Sequence, residues 1–366
     1  MKLSDFDLSW YSRCHYRFFT GSYTEEDLFP GSAGEGIQLW ELDSKDGRIR
    51  WLSTCSEISN PSWVCIDPSG TRMAVASEHV GGGSRVCLLR IEHDGSISLV
   101  DAVRSGDATC HVGFSPDGER VASASYMSGE IQLMEVGQAG FAAASQNFQY
   151  EGSGPNVDRQ EAPHAHQAVF SADGKHLYVP DLGSDRIWCH RIADGVLERP
   201  VHSLALPAGE GPRHLVMNKD GSAAWVLAEL TGNIHSLIRN RTSGKLTYNN
   251  RISSLPDNWQ KTPSAAAIRS HPQMPTLYVS HRNGGLISAF ELNANSPYLE
   301  LLGIVEVSDP SPRDFHISPD GRWLLVAGQE TNRLYMHPID PGTGKIGPEE
   351  FRTDCPTPVC IAWMPS

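Results

Sequence analysis

Nowhere in the chain do apolar residues run for the roughly 20 positions that a membrane-spanning helix needs, so no membrane span is expected. Met1 to Tyr16 lack the basic stretch and long apolar run of a secretion signal, and a cytoplasmic protein is expected. Cys-x-x-Cys spacing is missing as well. The eight cysteines (Cys14, Cys55, Cys65, Cys87, Cys110, Cys189, Cys355, Cys360) stand apart, mostly in apolar runs that read as strands, and are taken as reduced core thiols. Basic residues are scarce: 30 Lys and Arg face 43 Asp and Glu, for a formal charge of -13. That balance gives a nucleic-acid backbone no general attraction. It also repels anionic substrates at a distance, so an anion site must be built from its own local arginines. No Gly-x-Gly-x-x-Gly or P-loop motif precedes a helix, and no nucleotide, haem or flavin cofactor is expected. His164 and His166 form a His-x-His pair without a third ligand motif nearby, so no metal is expected either.

What the chain does have is turn material, 34 Gly and 24 Pro, spread throughout rather than gathered into a linker. A turn of the form Pro/Ala-Asp/Ser-Gly recurs at Pro68-Ser69-Gly70, Pro116-Asp117-Gly118, Ala172-Asp173-Gly174 and Pro319-Asp320-Gly321, with Lys219-Asp220-Gly221 as a variant, at intervals of about 50 residues. Between Gly221 and Gly321 one copy is replaced by Pro272-Gln273-Met274. Short apolar runs flank each turn, as in a tight hairpin, and a third run follows, for example Ile234-His235-Ser236-Leu237. Such units indicate an all-β fold, a seven-bladed β-propeller with four-stranded antiparallel blades. The ends supply the seventh unit: Phe18 to Tyr23 and Ile37 to Leu42 read as second and third strands, and Val359 to Trp363 as their missing first strand. The N- and C-terminal strands then close one blade and remove an open sheet edge. One domain over 1–366 is expected, with 1–16 an extension or strand, 17–59 and 356–366 forming the closing blade, and further blades at 60–107, 108–160, 161–210, 211–260, 261–310 and 311–355.

Counting from the turns locates the channel mouth, on the assumption that residues equidistant from a turn lie across from each other. Eight residues before the turn glycine come Ser62, Cys110, His166, Arg213 and Arg313, with Ala266 in the degenerate blade; eight after come Glu78, Tyr126, Leu182, Glu229 and Gln329, with Arg282 in the degenerate blade. Polar groups from several blades converging on one mouth can serve one ligand. Glu78, Tyr126 and Gln329 are also what ordinary hydrogen bonding between blades would use, and Arg313 can pair with Asp314 or reach a neighbouring blade. The candidate catalytic set is His166, Glu229, Arg213 and Arg282. Arg313, His164, His214, Glu78, Tyr126 and Gln329 are candidate substrate contacts.

At the same residues the sequence resembles the lactonase family of seven-bladed propellers, which includes propeller-type 6-phosphogluconolactonases and fungal carboxy-cis,cis-muconate cyclases. The resemblance rests on Asn60-Pro61-Ser62, His166 to Phe170, Leu177 to Gly183, Gly211-Pro212-Arg213-His214, Leu227-Ala228-Glu229-Leu230 and Val279-Ser280-His281-Arg282. It implies functional roles for His166, Arg213, Glu229 and Arg282, and hydrolysis of a sugar lactone such as 6-phosphogluconolactone, with arginines holding the anion and Glu229 or His166 activating water. The alternative within the family is cycloisomerisation of an unsaturated carboxylic acid, towards which Leu177 to Arg191 leans. A non-enzymatic interaction propeller is disfavoured because Trp-Asp dipeptides do not end the third strands. The expected partner is a small anionic lactone or carboxylic acid. Ala267 departs from the family, whose members often carry an acidic residue there, as does the turn His271-Pro272-Gln273-Met274.

Overall fold

The Asp-Gly turns work as small hydrogen-bonded clamps. Ser115 Oγ donates to Asp117 Oδ1 at 2.5 Å and Asp117 takes the N–H of Glu119 at 3.0 Å; Ser171 with Asp173 and Ser318 with Asp320 repeat the arrangement at 2.6 Å. The following glycine sits at φ 73° in Gly118 and 69° in Gly174, a region that costs most other residues energy. In the degenerate turn His271 takes over the acceptor's work. Its Nδ1 accepts from the N–H groups of Gln273 (3.1 Å) and Met274 (2.9 Å), while Nε2 lies 2.9 Å from the carbonyl of Gly321 in the next blade's turn. One neutral tautomer satisfies all three contacts.

The computed structural model describes residues 14–26, 28–292 and 298–365; of the extension expected at 1–16, all but the last three residues lie outside the described residues. The strands form seven four-stranded antiparallel sheets arranged as the blades of a propeller. Blade 1 takes its innermost strand from the C-terminus (Pro358–Trp363) and its others from the N-terminal region (His15–Ser22, Ile37–Asp43, Arg48–Cys55), so the two ends share a sheet as the sequence implied. Blades 2 to 7 follow in chain order, with innermost strands Pro61–Ile66, Thr109–Phe114, Val169–Phe170, Pro212–Met217, Ala265–Ser270 and Pro312–Ile317. The innermost strand of blade 1 packs against those of blades 2 and 7, which closes the ring.

Middle strands are buried on both faces, as Trp323–Gly328 and His176–Asp181 show, because each face meets the next blade. The apolar clusters therefore lie between blades. Phe18, Trp40, Trp323, Leu325, Leu334 and Met336 fill the gap between blades 7 and 1, and Phe19, Leu39, Val64, Met73, Val75 and Leu89 the gap between blades 1 and 2. Outer strands such as Val196–Ala205 alternate towards solvent.

In every blade the innermost strand carries one more residue than the strand beside it. Pairing jumps from Pro212↔Ala228 to His214↔Leu227, leaving Arg213 unpaired; Ser62, Cys110 and Arg313 are left out in the same way, and blades 1, 4 and 6 gain a residue at the equivalent level. A bulge of this kind bends the strand and re-aims its side chain. Here it turns the extra side chain to the channel. The mirror-pair assumption is thereby corrected: Arg213 opposes no residue, and Glu229 bonds through its N–H to Gly211 O at 2.8 Å.

Candidate active site

Two rings of residues meet at the mouth away from the Asp-Gly turns. The bulge residues form one. The other holds the residue leaving each second strand, Tyr23, Glu78, Tyr126, Leu182, Glu229, Arg282 and Gln329, whose N–H groups bond to Thr357, Asn60, Ala108, His164, Gly211, Ser264 and Ser311 carbonyls at 2.8–3.3 Å. This repeated backbone bond fixes seven side chains at one level.

Glu229 is the centre of the first polar group, only 3% exposed. Its Oε1 lies 2.6 Å from Arg159 Nη2 and 3.1 Å from Arg282 Nη2, and its Oε2 is 2.9 Å from Arg213 Nε. The last contact is a close charge contact without an aligned hydrogen bond, since Arg213 Nε has no hydrogen-bond partner among the described residues. Arg213 is instead held through Nη1, which donates to Ala266 O and lies 3.2 Å from His214 Nε2. Burial raises the proton affinity of Glu229, but the guanidiniums of Arg282, Arg213 and Arg159 outweigh it and hold the carboxyl well below the usual range. Arg213 is pushed down to about 9 by burial and by Arg282, with Glu229 opposing. It remains a cation at neutral pH.

Arg159, to which the sequence reading assigned no role, lies in the long connection between blades 3 and 4. Its neighbour Gln160, fully buried, donates to Leu182 O (2.9 Å) and Asp185 Oδ1 (2.8 Å) and so pins the connection. The pinned backbone delivers Arg159 to the mouth, where Nη2 also meets Tyr126 Oη at 3.2 Å.

The histidines surround this group without entering its ion pairs. His166 lies edge-on to Tyr126 and to His214, at ring-centroid distances of 5.5 and 5.4 Å, with Nδ1 3.8 Å from Cys110 Sγ. Burial first, and then Arg213, keep the His166 and His214 imidazoles neutral. His164 stacks on Tyr126 at 4.3 Å and bridges from its backbone carbonyl (2.9 Å) to Glu161 (3.2 Å). The two rings of the His-x-His pair share the Tyr126 ring but have different polar neighbours, Glu161 for His164 and Cys110 for His166.

A second group sits across the mouth. Tyr23 Oη donates to Glu78 Oε2 at 3.2 Å and accepts from Arg313 Nη2 at 2.6 Å, with the Arg313 guanidinium 5.1 Å above the tyrosine ring. Asp314, the partner first considered for Arg313, is occupied by Arg269 at 2.8 Å. Burial raises the Glu78 carboxyl above its ordinary 4.5, against the pull of Arg313, Ser62, Tyr23 and Arg213. Arg313 in turn feels Glu229, so the groups share one electrostatic space. Gln329 holds the equivalent place in blade 7, and among the described residues its side chain bonds to neither group. Ala267 is buried between blades 6 and 7 with Tyr278 and Phe315, and puts no charge at the mouth.

A cavity of about 560 Å³ opens at the turn end of the channel, lined by Trp63, His111, Phe114, Arg269, His316 and Trp363. Its one arginine is already neutralised by Asp314 and covers the Trp63 ring at 5.3 Å. The free positive charge lies at the other mouth.

A closed seven-bladed propeller with arginines and carboxylates gathered at one mouth is the class that fold and site define. Within it, the chain belongs to the lactonase family of seven-bladed β-propellers, whose family model matches residues 17–363. It is 27% identical over 352 residues to the 6-phosphogluconolactonase of Bacillus subtilis, covering 95% of this chain and 98% of that protein. A 6-phosphogluconolactonase of Formosa agariphila is 26% identical over 90% of this chain and 94% of its own. Among solved structures, the periplasmic gluconolactonase of Pseudomonas aeruginosa superposes with a TM-score of 0.85 at 26% identity, covering 96% of this chain and 99% of that one.

Proposed function

We propose that this protein hydrolyses a phosphorylated sugar lactone, of the kind its relatives' name 6-phosphogluconolactonase describes, at the mouth bearing Glu229. The observation that carries the reading is the local charge. Arg159, Arg213, Arg282 and Arg313 face two carboxylates, Glu78 and Glu229, in a chain of net charge -13. Two uncompensated positive charges in a recessed site match a phosphate monoester together with the oxyanion that forms during ester hydrolysis. In this reading Arg213 and Arg282 face the reacting carbonyl and Arg159, 41% exposed, reaches the phosphate.

Glu229 takes a different role from the one first considered. A carboxylate with both oxygens against guanidiniums, and proton affinity well below the usual range, is a weak base. It holds three arginines together at the mouth. His166 and Tyr126 form an uncharged wall beside it, which strengthens charge interactions by excluding water.

The described residues contain no helix long and apolar enough to cross a membrane. All eight thiols are free, which fits a reducing compartment, and the cytoplasm is the location that this reading favours. The substrate class is tested by acid release from 6-phosphogluconolactone and gluconolactone, with cyclisation of a muconate as the contrasting reaction. The phosphorylated lactone is expected to give the highest kcat/KM; cyclisation without lactone hydrolysis would overturn the assignment.

A further inference from the structure

Lactone hydrolysis needs a group that takes a proton from water at neutral pH, and the residues named by family resemblance do not supply a good one. Glu229 is engaged at both oxygens. His166 is a neutral imidazole whose surroundings resist the positive charge it would acquire. Across the same mouth lies a carboxylate with the opposite character. Glu78 is buried, makes no salt bridge to lysine or arginine among the described residues, and is bonded through Oε2 to Tyr23. Among those residues Oε2 takes the one aligned hydrogen bond, from Tyr23, and Ser62 Oγ lies near enough to lower the carboxyl's proton affinity, which leaves Oε1 as the oxygen for a water molecule.

We infer that Glu78 is the general base of the hydrolysis, with Tyr23 and Arg313 as the residues that position it; the inference rests on the lactonase reading above. Tyr23 is well suited to its part. Burial pushes its phenol far above the ordinary 10, so it stays an O–H donor at any working pH. Arg313 fixes the phenol from the far side by a 2.6 Å bond to its oxygen. The result is a directed chain, Arg313 to Tyr23 to Glu78, that orients the carboxylate without forming an ion pair with it. The charged and titratable groups facing Glu78 are Tyr23 from blade 1, Arg313 from blade 7, Arg213 from blade 5 and Cys110 from blade 3. Burial holds the Cys110 thiol protonated, so it does not compete as a base. The two carboxylates of the mouth are driven in opposite directions, one towards permanent charge and the other towards neutrality, which is how a site separates an anchor from a proton carrier.

Glu78 takes a proton from water as the water oxygen bonds to the lactone carbonyl carbon, and the carbonyl π pair moves onto its oxygen beside the arginines. Collapse of this adduct breaks the ring C–O bond. The departing ring oxygen receives the proton from Glu78, so one water is added and the carboxylate is restored.

The test is steady-state hydrolysis of 6-phosphogluconolactone across pH by wild type, Glu78→Gln and Tyr23→Phe. Glu78→Gln should lower kcat about 100-fold or more with little change in KM. Tyr23→Phe removes a hydrogen bond that favours the charged carboxylate, so the acid limb of its kcat/KM profile should move to higher pH. A purely structural tyrosine would not shift that limb, and this variant decides the matter if Glu78→Gln fails to fold. Folded Glu78→Gln within threefold of the wild-type kcat, or an unmoved acid limb in Tyr23→Phe, overturns the assignment of Glu78 alone. A wild type that opens no lactone overturns the functional reading and this inference with it.

Discussion

Arg159 and Glu229 stand 70 residues apart in the chain and meet at 2.6 Å in the channel mouth. The arginine arrives on a connection between blades 3 and 4, and the carboxylate leaves the second strand of blade 5. Their contact shows that the mouth is assembled from a connecting segment as well as from the repeated blade. Because Gln160 and not Arg159 pins that segment, the arginine can be removed without unfolding its support.

Arg159→Ala should therefore raise KM for a phosphorylated lactone roughly 10-fold, the effect of losing about 1.4 kcal/mol of anion binding, while kcat changes much less. Gluconolactone, which carries no phosphate, should show a smaller change in KM. Steady-state kinetics on both lactones checks this.

Glu229 holds Arg159, Arg213 and Arg282, and Arg213 is already depressed to about 9 by burial beside Arg282. Glu229→Gln leaves three guanidiniums facing one another without their counter-charge. Loss of one partner in such a buried cluster costs about 3–5 kcal/mol, so the urea midpoint should fall. Added inorganic phosphate should restore more stability to the variant than to wild type, since a bound anion replaces the missing charge.

Stability should also fall as the solution is acidified. Burial holds His111, His281 and His316 down to about 3 and His190 down to about 4, against an ordinary 6.5. Below pH 6.5 the unfolded chain takes up protons that these buried imidazoles refuse. Stability is thus fully present above that value and is lost as pH falls towards 4, by roughly 1 kcal/mol per pH unit for each histidine. Urea melts at pH 7.5, 6.0 and 5.0 would show the midpoint descending; a flat profile would contradict the buried neutral assignment.

Ring closure can be tested at the C-terminus. Trp363 packs on Phe18 at 4.8 Å, and Ile361 N–H bonds to Asp314 Oδ2 at 3.0 Å across to blade 7. Deleting residues 358–366 exposes the inner edge of blade 1 and removes these contacts. The shortened chain should aggregate or melt far below the full chain, and the synthetic strand supplied in trans should partly restore it.

The propeller was legible because each turn repeats a chemical device, a side-chain acceptor ahead of a glycine at positive φ, at a nearly constant interval. Even the degenerate turn keeps the acceptor, as the Nδ1 of His271. Counting from those turns reached Arg213, Glu229 and Arg282, which do form one linked group. It could not reach Tyr23, because blade 1 joins its first two strands through opposite ends of the chain and has no turn to count from. Arg159 escaped for a related reason: it lies in a connection outside the repeat, and its only signal was an arginine in an acidic chain. The bulges were hidden too, since an extra residue in one strand leaves spacing from the turn unaltered. The role of Glu229 depends on how many guanidiniums surround it, which only the folded chain reveals.

The central claim is that chemistry takes place at the mouth bearing Glu229, and turnover of 6-phosphogluconolactone by wild type and Arg282→Ala tests it most directly, with folding of both checked by thermal melt. Arg282 Nη2 is 3.1 Å from Glu229, and its Nε, buried, has no hydrogen-bond partner among the described residues. Removing a donor that faces the developing oxyanion should lower kcat/KM about 100-fold or more. A folded Arg282→Ala protein that turns over this lactone within threefold of wild type would place the chemistry elsewhere.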